Sequence, residues 1–107
     1  MAKTPRMEPL EAMLADDPAD AFLRYGLAME HMGLGDDATA VGVLRELIAA
    51  NPEPPYVPAY LQAGQALMRL DREADAAAML RAGIAAATKT GNDHARGEME
   101  GFLATLE

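Results

Sequence analysis

Few side chains in this chain of 107 residues have the types and spacing that catalysis or metal binding requires. There is no cysteine, which excludes disulfides, thiolate nucleophiles, cysteine-ligated zinc and iron–sulfur clusters. Of the two histidines, His31 stands near Glu30, Asp36 and Asp37, but their spacing matches no metal motif of known geometry. His94 follows a polar turn, where helix capping or plain exposure explains it.

Five aspartates form two clusters in the first third of the chain. Asp16, Asp17 and Asp20 form one cluster, and Asp36 with Asp37 forms the other. Neither cluster has the central glycine and closing glutamate of a calcium loop, and the glycines follow no phosphate-loop spacing. Helix capping and placement near helix dipoles explain these carboxylates. We therefore expect no enzymatic activity, no metal and no cofactor.

The charge of the chain argues against nucleic acids and membranes as partners. Nine Lys and Arg residues stand against 17 Asp and Glu residues, giving a net charge of −8. Proteins that bind nucleic acids or anionic bilayers use clustered cations, which this chain lacks. The first residues lack the apolar run of a signal peptide, and no stretch of about 18 apolar residues could span a bilayer. We expect a cytoplasmic protein.

Composition and apolar spacing predict an all-α chain. Half of the residues are hydrophobic but only 5% are aromatic, a balance that favours helices over sheets. Glycine and proline breaks divide the apolar pattern into about six helices. The third is capped by Asp36 or Asp37 and ends before the break at residues 51–55. The others are expected at residues 7–15, 20–34, 57–70, 73–87 and 93–106.

The chain also repeats itself after 36 residues. Residues 34–44 and 70–80 have nearly the same pattern, and identical residues recur before and after them. The matched pairs are Met32/Met68, Leu34/Leu70, Ala38/Ala74, Ala40/Ala76, Leu44/Leu80, Arg45/Arg81, Ile48/Ile84, Ala49/Ala85 and Ala50/Ala86. A period of 34–36 residues that contains two antiparallel helices is typical of a helical solenoid.

The residue types within each period resemble the tetratricopeptide repeat family. The first unit supplies Leu27, Ala28, His31, Gly35, Asp36, Ala40, Leu44, Leu47 and Pro52, and the second supplies Tyr60, Ala63, Gly64, Leu67, Asp71, Ala76, Leu80 and Gly83. Departures are the absence of tryptophan, Arg24 at the bulky position of the first unit, and Thr88 in place of the closing proline of the second.

This resemblance implies one domain, residues 1–107, folded as a short right-handed α-solenoid of antiparallel helix-turn-helix repeats. The expected parts are an N-terminal half-repeat at 7–17, repeats at 21–54 and 57–90, and a C-terminal capping helix at 93–107. It also implies close helix packing at Ala28 and Gly64, with Ala40 and Ala76 opposite them. His31 falls at a helix-packing position, which leaves packing and catalysis as its two interpretations.

The resemblance further implies a concave groove lined by the first helix of each repeat. Its predicted lining comprises Tyr25, Met29, Met32, Leu61, Gln65, Met68 and Arg69. The family's carboxylate clamp for chaperone tails needs lysine and asparagine where Tyr25 and Met29 stand, so we do not expect that clamp. Methionine-rich surfaces adapt to varied apolar partners.

We therefore predict a non-catalytic protein–protein interaction module that binds a helix or peptide with apolar anchors, with Arg69 pairing an acidic group of the ligand. Two alternatives stay open. The last helix covers the groove, or a second copy does, in which case the chain is a structural homo-oligomer.

Overall fold

The computed structural model describes residues 3–107, and within that range it consists of six α-helices and no β-strand. The prediction of an all-α chain with six helices is confirmed. The helices are α1 (Met7–Asp16), α2 (Ala21–Gly33), α3 (Asp37–Ala50), α4 (Val57–Arg69), α5 (Glu73–Thr90) and α6 (Asp93–Leu106).

Short polar side chains begin three of these helices. The Asp20 carboxylate accepts a hydrogen bond from the Leu23 N–H, and Asp36 accepts one from the Thr39 N–H. Asn92 begins α6 in the same way. Capping does not explain Asp16 and Asp17, which lie at the C-terminal end of α1, where the helix dipole disfavours negative charge. For those two residues the capping interpretation is wrong.

Equivalent turns end α2 and α4. After α2, the Asp36 N–H donates to the His31 carbonyl while Gly35 takes the left-handed conformation at φ +76°. After α4, the Arg72 N–H donates to the Leu67 carbonyl around Asp71, at φ +58°. Both are Schellman turns, which redirect the chain into the next helix. The 36-residue period of the sequence thus corresponds to the same turn at the ends of two helices.

The fifth helix is longer than the expected range of 73–87, and this end of our prediction is wrong. It continues to Thr90 and ends at Gly91, which has φ +72°. The Thr88 and Thr90 hydroxyls donate to the carbonyls of Ile84 and Ala86 four residues earlier. Threonines that bond inside a helix in this way do not end it, although their polarity suggests a turn.

Consecutive helices pack side by side along the chain, and α4 also touches α6. The helix α2 pairs with α3, and α4 pairs with α5, as two antiparallel hairpins. Three adjoining apolar clusters fill the space between the helices, and their largest fully buried side chains are Met7, Leu44, Leu47, Leu67, Leu80 and Met99.

Glycine permits the closest helix contacts. A Cβ added to Gly64 would lie 2.6 Å from Leu80 Cδ2, so α4 and α5 approach only because no side chain stands there. The expected close packing at Gly64 is therefore present. Its nearest neighbour is Leu80, however, and not Ala76, which is buried beside Val41 and Leu67. Gly83 plays the same part between α5 and Tyr60 of α4.

Candidate functional site

The predicted groove residues lie on α2 and α4, and all but Arg69 are partly buried. The structure places five of the seven in two separate depressions. Tyr25 and Met29 line the first depression, while Gln65, Met68 and Arg69 line the second. Met32 and Leu61 line neither, and both pack against the apolar clusters of the core.

The larger depression lies between α1 and α2, and we call it the N-terminal cleft. It has a volume of about 510 Å³. Its lining is mostly apolar and consists of Pro5, Arg6, Pro9, Leu10, Phe22, Tyr25, Gly26, Met29 and Glu30. A cleft of this kind accommodates apolar side chains, with one cation and one carboxylate at hand.

The smaller depression lies between α4 and α6, and we call it the α4–α6 depression. Its volume is about 240 Å³, and Phe102 of α6 completes the set begun by Gln65, Met68 and Arg69. The last helix therefore supplies one wall of this depression and leaves it open. Met68 also packs against two apolar clusters, so only part of its side chain is available to a ligand.

Arg69 is not the free rim cation that the sequence suggested. Its Nε and Nη2 donate to the two carboxylate oxygens of Asp37, each at 3.0 Å, in a bidentate pair. The hydrogen bond to Asp37 raises the pKa of Arg69. Asp37 thus engages two of the guanidinium N–H groups, and the Arg69 side chain is 50% exposed. Pairing of Arg69 with an acidic group of a ligand stays a prediction, in which that group would compete with Asp37.

Next to the N-terminal cleft, two aromatic side chains pack against each other. The rings of Tyr25 and Tyr56 lie 5.4 Å apart between centroids, tilted by 45°. Burial raises the pKa of both hydroxyls, so both stay protonated and neutral at physiological pH. Tyr25 thus contributes an uncharged side chain to the lining of the cleft.

The sequence reasoning did not name Phe22, Leu10 or Phe102 as parts of a surface. A signal for Phe22 was available, since it precedes Tyr25 by three residues and Met29 by seven, which places all three on one helix face. Leu10 and Phe102 had no such signal, because their roles depend on how α1 and α6 pack against other helices.

A third depression of about 480 Å³ lies between α3 and α5, with Tyr60 of α4 beside them, and it contains none of the predicted groove residues. Its lining consists of Arg45, Ile48, Ala49, Tyr60, Asp75, Ala78, Met79 and Ala82.

Neither histidine belongs to a catalytic arrangement in the described part of the chain. The side chain of His31 is only 21% exposed, and its Nδ1 lies 3.9 Å from Asp36 Oδ2, which is beyond hydrogen-bond distance. His94 is exposed, with Nε2 3.0 Å from Glu98 Oε1. Within residues 3–107, no group of three histidine or acidic side chains is placed to hold a metal ion.

Comparison with known proteins agrees with this architecture. The model of the tetratricopeptide repeat family matches residues 20–54. The solution structure of a tetratricopeptide repeat domain protein from Salinibacter ruber is 33% identical, with a TM-score of 0.76 over 85% of this chain and 90% of that one. No curated protein sequence matches the chain significantly.

Two further solved structures have the same fold. A protein from Bordetella parapertussis is 28% identical, with a TM-score of 0.81 over 96% of this chain and 88% of that one. The TPR2B domain of yeast Sti1, solved as a complex with pHsp70, is 19% identical, with a TM-score of 0.84 over 94% of this chain and 78% of that one.

The chain belongs to the tetratricopeptide repeat family. The family and the solenoid fold that the sequence indicated are therefore confirmed. Its fold is one that commonly serves as a protein–protein interaction module. No helix within residues 3–107 has both the length and the apolar character needed to cross a bilayer.

Proposed function

We propose that this chain is a non-catalytic interaction module that binds a helix or an extended peptide along the surface formed by α2, α4 and α6. The observation that supports this most directly is the position of Met29 and Met68. Each lines a separate open depression on that surface, one at α1–α2 and the other at α4–α6. A ligand that spans the surface would place one apolar anchor in each.

The chemistry of the lining favours apolar anchors. The N-terminal cleft exposes mainly carbon, and the methionine side chains are flexible enough to repack around ligands of different shape. The net charge of −8 favours partners with positive charge around their anchors, because long-range attraction then speeds association.

The Sti1 domain, which was solved as a complex with pHsp70, indicates that this architecture accommodates a protein ligand. The side chains differ from a carboxylate clamp, since Tyr25 and Met29 supply no cation. Among the predicted groove residues Arg69 is the one cation, and it is paired with Asp37. We therefore propose recognition through apolar anchors and not through a terminal carboxylate.

Capture from native lysate followed by mass spectrometry tests this proposal. The baits are the wild-type chain, Met29→Glu, Met68→Glu and the double variant. Ala85→Glu adds the same charge at an exposed position of α5 and serves as the control. Circular dichroism and thermal unfolding establish that each bait is folded. Gln65→Glu adds charge to the α4–α6 depression at a residue outside the apolar clusters, in case Met68→Glu is destabilised.

We expect a protein that is retained by the wild type and by Ala85→Glu, weakened by each methionine variant and lost from the double variant. If all baits retain the same proteins, the proposed surface is wrong. Size-exclusion chromatography with light scattering tests the alternative of a homo-oligomer, which a monomer at all concentrations excludes.

A further inference from the structure

The six helices alternate in a way that leaves α1 without one neighbour. The second helix of each hairpin, α3 or α5, lies between the first helix of its own hairpin and the first helix of the next. Thus α3 lies between α2 and α4, and α5 lies between α4 and α6. The helix α1 packs against α2 as α3 does against α4, but within residues 3–107 no helix lies on its other side.

The exposure of side chains on α1 shows the effect of that absence. Leu10 stands 34 residues before Leu44, which is fully buried, yet Leu10 is only half-buried. Met13 stands 34 residues before Leu47, which is also fully buried, and Met13 is 47% exposed. The positions that are buried on α3 are therefore partly exposed at the equivalent places on α1. These positions extend the interface between repeats beyond α1, to the place where one more helix of the stack would lie.

The adjoining face of α2 is open and apolar as well. Phe22 is 73% exposed, the most of any large hydrophobic side chain in the described residues. The floor beside it is Gly26, where an added Cβ would meet only the Leu10 side chain, at 3.6 Å. Phe22 and Leu10 thus form two sides of the N-terminal cleft. Gly26 lies between them and has no side chain, so a helix could approach the α2 backbone there.

We propose that the N-terminal cleft binds an amphipathic helix of another protein, which packs where the next helix of the solenoid would lie. The apolar stripe of that helix contacts Leu10, Phe22 and Met29, with a small residue over Leu10, as Gly64 lies over Leu80. Arg6 and Glu30, the two charged residues of the lining, lie 3.8 Å apart and pair with each other. The polar face of the bound helix is cationic, because the other charged residues of 3–30 comprise five carboxylates and two cations.

The chain's own last helix is unsuited to this cleft in a second copy. Glu100 of α6 stands 36 residues after Gly64, so the two residues hold equivalent positions in the repeat. At Gly64 even an added Cβ would overlap Leu80, and a glutamate at the equivalent position would overlap the leucine of the cleft in the same way. Arg96 of α6 stands 36 residues after Tyr60 and is equally polar. The C-terminal end of the stack is thus charged where the N-terminal end is apolar. Two copies with a net charge of −8 each also repel one another.

A synthetic peptide with the sequence of α4, VPAYLQAGQALMR, capped at both ends and extended by two lysines, is the probe. It has the small residues of a hairpin's first helix, a cationic polar face and no carboxylate. Titration into the isotope-labelled chain, followed by amide chemical shifts, locates its site. A second peptide, in which glutamate replaces the glycine corresponding to Gly64, is the matched control peptide.

Gly26→Leu fills the cleft, and Gly97→Leu makes the same change on α6 at a position with open space around it. We expect saturable shifts centred on Leu10, Phe22 and Gly26. We also expect affinity to fall by at least about tenfold in Gly26→Leu. Gly97→Leu should bind as the wild type does, and the glutamate peptide should bind at least about tenfold more weakly.

Three results of the peptide titration would overturn this proposal. They are no saturable binding of the α4 peptide, shifts centred on Gln65 and Met68 instead of the cleft, and equal binding by Gly26→Leu and wild type. A concentration-dependent dimer that Gly26→Leu abolishes would also overturn it, because a second copy would then fill the cleft. The function proposed above is separable, since it requires Met68 as well as Met29, whereas this helix requires no part of the α4–α6 depression.

Discussion

At the scale of single residues, two glycines set the distance between helices. Gly64 admits Leu80, and Gly83 lies where an added Cβ would come within 2.6 Å of Tyr60 Cβ. The Tyr60 Cβ is fixed to the α4 backbone, so it cannot swing aside as the end of a long side chain can. Gly42, by contrast, is exposed in α3 with nothing within 4 Å of its added Cβ.

Gly83→Ala and Gly42→Ala should therefore change stability in opposite directions. Both gain helix propensity, about 1 kcal/mol. In Gly83→Ala we expect overpacking against Tyr60 and Met99, about 1–3 kcal/mol or more, to outweigh that gain. Gly42→Ala should be stabilised by about 0.5–1 kcal/mol. Urea unfolding followed by circular dichroism measures both, and a stabilised Gly83→Ala would contradict the close contact.

At the scale of the element, helix ends are determined by local hydrogen bonds. Asp20, Asp36 and Asn92 each accept a backbone N–H three residues later, so α2, α3 and α6 begin where the sequence placed them. The end of α5 was misjudged because Thr88 and Thr90 bond to carbonyls within the helix. The same type of side chain can cap a helix or continue it, depending on which backbone group lies within reach.

The cap at Asp36 should make stability depend on pH. Hydrogen bonds from Thr39 lower the pKa of Asp36 below its ordinary value of 3.8. A carboxyl with a lowered folded-state pKa contributes stability above its ordinary value and loses it as pH falls through the folded-state value. Asp36→Asn keeps the cap without a titrating group, so this variant should lose less stability than the wild type as the pH falls from about 5 through 3.8 and on through the lower folded-state pKa of Asp36.

Thermal unfolding across this pH range, at constant ionic strength, measures the effect. Asp36→Ala is the control, because it lacks the cap at every pH and should be less stable than Asp36→Asn throughout. Parallel pH profiles for the wild type and Asp36→Asn would show that Asp36 does not contribute.

At the scale of the whole molecule, stability comes from contacts between neighbours in a stack measuring 39 × 29 × 19 Å. The two ends differ in how much they bury. The last helix inserts Ala95 and fully buried Met99 into a cluster with Val57 and Leu80. The first helix buries only Met7 completely, and it leaves the N-terminal cleft open.

Deleting the last helix should therefore destabilise the chain more than deleting the first. A chain that ends at Gly91 loses Met99 and should lose at least about 2 kcal/mol of unfolding free energy from that side chain alone. A chain that begins at Asp20 loses α1 and should unfold at a urea concentration closer to that of the full chain. Comparison of the two unfolding midpoints tests this, and a greater cost for α1 would contradict the difference in burial.

Residue types and their spacing were enough to predict the six helices, apart from the end of α5, together with their order and the family. Apolar spacing and the caps at Asp20 and Asp36 act on backbone groups only a few residues away, so they can be recognised in the sequence. The 36-residue period can be recognised because the same pattern of residue types occurs twice. The concave-groove set remains a prediction as a binding site, since it was assigned by position in the repeat.

Which of those residues are exposed and which are paired or covered depends on contacts between distant parts of the chain. The pairing of Arg69 with Asp37 joins residues 32 positions apart, and no local pattern indicates it. Leu10 lines a depression because α1 packs beside α2 and leaves a cleft between them. Phe102 lines one because α6 packs beside α4 in the same way. A helix face is encoded in a short stretch of sequence, but whether that face meets a neighbour, an ion partner or open space depends on the packing of every other helix.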